Sequence, residues 1–110
     1  MQFDKDGEIV VITDNSSNIH DLVSQITESQ HRFSHNNVVI NLLTNSEIML
    51  DDLIAFLKLS NAHRAQKHSF VIVTDKVDFD EVPDELVVVP TLQEAYDIIE
   101  MEEMERDLGL

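Results

Sequence analysis

NVVINLLTNSEIMLDDLIAFLKLSNAHRAQKHSFVIVTD, residues 37–75, reads as a strand, a crossover helix and a second strand. The runs VVINLL (38–43) and FVIVTD (70–75) are short, rich in Val and Ile, and show no polar alternation. That pattern suits strands covered on both faces, as in the middle of a parallel sheet. The segment between them is long enough for a helix at 51–67, and such crossovers are right-handed almost without exception.

On the N-terminal side, Gln2 to Asp6 reads as an edge strand, Asp6-Gly7 as a tight turn and EIVVIT (8–13) as the returning strand. Asp-Gly between two extended runs is a hairpin signal because Gly tolerates positive φ. A polar loop follows, with Ser17 or Asn18 as the N-cap of a first helix over 19–33. Ile19, Leu22, Val23, Ile26 and Phe33 form its single apolar face. On the C-terminal side, KVDFDEVPDE (76–85) is barely long enough for a crossover, with Val77, Phe79 and Val82 expected to pin one helical turn to the core. LVVVP (86–90) is a further strand. Thr91 to Glu94 then forms a capping box opening a last helix whose core face is Leu92, Ala95, Tyr96 and Ile99. The order predicts one α/β domain over 1–110: a mixed sheet, an N-terminal antiparallel hairpin plus parallel strands, packed with about three helices.

At 110 residues the chain is the size of one domain. It has no cysteine, so disulfides and thiolate metal sites are excluded. No run approaches the roughly 18 apolar residues that span a bilayer, and MQFDKDGEIVVITD (1–14) lacks the basic and apolar regions of a signal peptide. A cytoplasmic location is expected. Residues 75–110 hold 13 acids against Lys76 and Arg106, so that segment supplies −11 of the net −15. Such a field repels phosphate backbones and anionic lipids and attracts a basic protein surface.

Two apolar groups fall outside the expected core. In the second helix Leu50, Leu53, Ile54 and Leu57 share a stripe that should face the sheet, which turns Leu59 outward beside Ala55, Ala62 and His63, with Phe56 at the boundary. In the acidic helix end, 101–110, Met101, Met104 and Leu108 form a second stripe opposite the core face, amid Glu100, Glu102, Glu103 and Glu105. Acids at a helix C-terminus oppose the macrodipole. The last two turns are therefore expected to fray unless self-association, as a homodimer through Met101, Met104 and Leu108, or a partner covers the stripe.

The element order, and above all INLLTNSEIMLDDLIAFLKL (40–59), resembles the STAS family of anti-sigma-factor antagonists and sulphate-transporter domains. The family's loop carries Asp-Ser-Ser-Gly, one serine being its phosphorylation site. Met49, Leu50, Asp51 and Asp52 stand at that place, and Asn41 replaces the usual strand Asp. The resemblance implies a non-enzymatic regulatory module without the phosphorylatable serine. It would meet its partner through Ser46, Asp51, Asp52, Phe56, Leu59 and His63. The C-terminal half, PDELVVVPTLQEAYDIIEMEEMERDLGL, looks like small bacterial proteins carrying a ribonuclease Z label. That implies the alternative of an accessory subunit in tRNA 3′-processing, or a small enzyme with an unseen site, although the His-x-His-x-Asp-His zinc spacing is absent.

Direct signs of chemistry are few. His31, His35, His63 and His68 flank the ends of the first two helices, where cations complement the dipole. Asp78-x-Asp80 lacks the glycine and later Glu of a calcium loop. Only Gly7 and Gly109 exist, so phosphate-cradling glycine loops are excluded. No catalytic residue, cofactor or metal is expected.

Overall fold

The computed structural model describes residues 1–14 and 18–109. Five strands form one sheet in sequence order: β1 (Gln2–Asp6), β2 (Ile9–Thr13), β3 (Asn37–Asn41), β4 (Phe70–Val73) and β5 (Val87–Val89). β1 runs antiparallel to β2 through a turn in which Gly7 takes φ 61°, and the remaining pairings are parallel. The helices are α1 (Ile19–Glu28), α2 (Leu50–Ile54), α3 (Leu57–Ala65) and α4 (Leu92–Asp107). Asn18 caps α1 by accepting the Asp21 N–H at 3.1 Å; Ser17, the other expected cap, lies outside the described residues.

The register explains the unbroken apolar runs. Ile12, Ile40, Ile72 and Val88 align across four strands, and so do Val11, Val39, Val71 and Val87. Successive side chains point to opposite faces, so both rows need cover. The first row packs with Ile19, Leu22 and Ile26 of α1, with Leu53 of α2 and Leu59 of α3, and with Phe56 between those two helices. The second packs with Ala95 and Ile99 of α4. Strand order advances in one direction from β2 to β5, so right-handed crossovers must all fall on one face. Among the described residues, that leaves α4 as the helix on the opposite face.

The connection to β5 is a single 3-10 turn, Phe79–Glu81, as its length required. Val77 and Val82 pack on the core. Phe79, expected beside them, is instead exposed.

The second helix corrects the sequence expectation. It is broken at Ala55 and Phe56, where the Phe56 N–H donates to the Leu53 carbonyl at 3.0 Å, a tight i→i+3 closure. Its buried positions are Leu53, Phe56, Leu59, Ser60 and His63, whereas Ile54 is exposed and Leu50 and Leu57 only half-buried. Phe56 is 0% and Leu59 5% exposed, so neither faces outward. The buried row advances by three- and four-residue steps, but two of its members are polar. Ser60 and His63 made that face look solvated, so hydrophobic spacing alone kept Leu53 on the buried face and missed Phe56, Leu59 and His63.

Candidate interaction surface

The loop entering α2, the edge where β3 and β4 begin, and the outer side of α4 each carry polar groups or exposed apolar surface. In the loop, Asn45 accepts the Glu47 N–H at 3.1 Å, and the Asp52 carboxylate accepts the Met49 N–H at 2.9 Å, closing the start of α2. Asp52 is thereby half-buried, while Ser46 and Asp51 are exposed. Phe56, Leu59 and His63 lie beneath the surface. The six residues expected to meet a partner do not share one outward face.

His63 is held among Phe33, Phe70 and His68, with ring centroids 6.1, 6.1 and 5.5 Å away. Its Nε2 lies 2.6 Å from the Asn36 carbonyl, to which it donates. Burial holds the imidazole below its ordinary pKa; the Asn36 carbonyl partly offsets this, and charge on His68 adds to the lowering. The unfolded chain therefore binds the proton more readily. Stability from His63 is present above the unfolded value, about 6.5, and is lost as pH falls through the lower folded value. The melting temperature should drop between about pH 7.5 and about pH 5.5. His63→Gln, which retains a donor for Asn36, should flatten that drop in a thermal titration. Equal slopes in both proteins would assign the dependence to other groups.

At the strand-start edge, α4 continues its inward row past Ile99 with polar residues. Leu92, Ala95, Ile99, Glu102 and Arg106 repeat at three- and four-residue steps, the spacing of one helix face. Arg64 Nη2 donates to Glu102 at 2.7 Å, and Ser69 Oγ donates to the same carboxylate at 2.6 Å. Arg106 Nη2 donates to Ser69 Oγ at 3.2 Å and to Asn37 Oδ1 at 3.4 Å. Asn37 Nδ2 donates to Glu103, and Asn37 Oδ1 accepts the Ser69 N–H at 2.8 Å. The helix end expected to fray is regular to Asp107 because this network ties its inner side down. Periodicity carried a signal for it: a core stripe that continues as Glu and Arg points those groups at polar partners.

Beside the network lies an open polar cleft of about 320 Å³, lined in part by Glu8, His35, Lys67, His68 and Asp107. Its charges are mixed and select no ligand of one sign. Among the described residues no three side chains of His, Asp or Glu type converge as metal ligands, and no helix is long and apolar enough to cross a membrane.

The outer side of α4 is different in kind. Met101, Met104 and Leu108 are 48%, 56% and 74% exposed at positions i, i+3 and i+7, so they stand on one face. Toward the β5 edge the row meets a shallow apolar groove of about 280 Å³ formed by Val89, Ile98 and Met101 and rimmed by Glu94 and Asp97. Val89 and Ile98 were not singled out from sequence, because only the packing of α4 across the sheet places them together. No protein-family model matches the chain, and no curated protein matches it significantly.

Proposed function

We propose that the protein is a non-enzymatic, STAS-like protein-interaction module without the phosphorylatable serine, whose partner presents a basic surface. The observation that carries this reading is the row Met101, Met104 and Leu108, exposed on a helix whose opposite side is locked in place. Large apolar side chains grouped on a rigid surface and rimmed by polar residues mark association sites. The absence of a serine at 49–52, with Asp51 exposed and the Asp52 carboxylate engaged by the Met49 N–H, favours binding without a phosphorylation switch. The sheet order and the hairpin followed by parallel strands support the STAS-like assignment.

The test is co-purification from the native cell with the wild-type chain and with a Met101→Glu/Met104→Glu variant. Both positions are exposed, so the variant should melt within a few degrees of wild type. It should lose the proteins that the wild type retains. Retention of the same partners by a folded variant would remove α4 from the reading.

A further inference from the structure

We propose that the outer face of α4 receives a basic amphipathic helix of another protein, an inference that rests on the interaction-module reading and specifies its occupant. The apolar row runs from Ile98 to Leu108, about 15 Å at the helical rise, or roughly three turns. A partner helix lying along it would present apolar groups at i, i+3 or i+4, and i+7. Methionines suit such a seat because their unbranched, polarizable side chains adapt to different partner shapes.

Charge selects among the occupants. Glu94, Asp97, Glu100 and Glu105 all lie on exposed positions of α4 around the row. Of the bases near the helix end, Arg64 and Arg106 are drawn inward to Glu102, Ser69 and Asn37, and Lys67 lines the polar cleft with Glu103 and Asp107. The charged residues that line the groove itself, Glu94 and Asp97, are both acidic. A second copy would bring these carboxylates against their equivalents, which opposes a homodimer through Met101, Met104 and Leu108. Lys and Arg flanking an apolar stripe meet them with opposite sign. A strand added at β5 is a poorer occupant, since β5 has three residues and is followed at once by Pro90, which has no N–H to donate.

The test titrates the full-length chain with three synthetic peptides, followed by calorimetry and by backbone amide NMR. One is a helix with Leu at i, i+3, i+4 and i+7 flanked by Lys and Arg. The second has the same composition in permuted order, and the third replaces its bases with Glu. The first should bind at least about ten-fold more tightly than the other two, the loss of an apolar anchor register or of charge complementarity being worth that much. Perturbed amides should centre on Val89, Glu94, Asp97, Ile98, Met101, Met104 and Leu108. Met101→Glu/Met104→Glu should weaken it by a similar factor, and added salt should weaken it further. Equal binding of the permuted peptide, perturbations centred elsewhere, or no binding would overturn the proposal. So would a wild-type dimer in sedimentation that the variant abolishes, because the occupant would then be a second copy. If native-cell partners depend on Met101 and Met104 while no basic helix binds, the helical occupant falls and the interaction-module reading stands. If neither is observed, both fall.

Discussion

Leu59→Asp is expected to unfold the domain rather than to disable a docking face. Leu59 is 5% exposed and belongs to the cluster that includes Phe56, Phe70 and Ile72. Removing a buried Leu side chain typically costs about 2–5 kcal/mol. The new carboxylate adds several kcal/mol more unless it is protonated or reaches water. Domains of this size are stable by roughly 5–15 kcal/mol in total, so the substitution consumes most of that margin. Urea unfolding followed by circular dichroism should find the variant largely unfolded without denaturant. Met104→Asp, on an exposed position of α4, should change stability by only about 0.5 kcal/mol. A folded Leu59→Asp protein with near-wild-type stability would mean that α3 presents the opposite side to the sheet.

Asn37→Ala should have the next largest effect, through polar groups alone. Asn37 is buried at the start of β3 and bonds the Ser69 amide, Glu103 and Arg106 at once. Alanine leaves the Ser69 N–H buried without that acceptor and Glu103 without that donor. A buried group deprived of its partner costs about 1–3 kcal/mol, more when charged. A total loss of roughly 2–4 kcal/mol would lower the melting temperature by about 10 °C or more. The last two turns of α4 should also exchange their amide hydrogens faster, since the acids there oppose the macrodipole once the inner network is cut. A variant melting within about a degree of wild type, with unchanged exchange in α4, would show that the network does not hold the helix.

The contrast between the two variants also marks where the amino-acid pattern was informative. The runs at 38–43 and 70–75 announce buried parallel strands because each needs apolar cover on both faces, and the structure covers them so. Asp6-Gly7 announces the hairpin because only a residue free of Cβ readily adopts the turn's positive φ. Met101, Met104 and Leu108 could be placed outside because they lie opposite a core stripe, Leu92, Ala95 and Ile99, that is itself unambiguous. The second helix lacked such a stripe. Its buried face includes Ser60 and His63, and the chain tightens at Ala55–Phe56, so the period of its leucines misdirects.

The sequence by itself determined the α/β class, the order of elements along the chain, the acidic field and the apolar row on the last helix. Each follows from residues close together in the chain, through helix and strand periodicity or through summed charge. Only the tertiary structure decided that Phe56, Leu59 and His63 are interior, that Glu102, Glu103 and Arg106 clasp Asn37 and Ser69, and that Val89 joins Ile98 and Met101 in one groove. Those arrangements depend on contacts between residues as many as 69 positions apart. Such contacts are set by which face of the sheet each helix covers, and no local period in the chain encodes that.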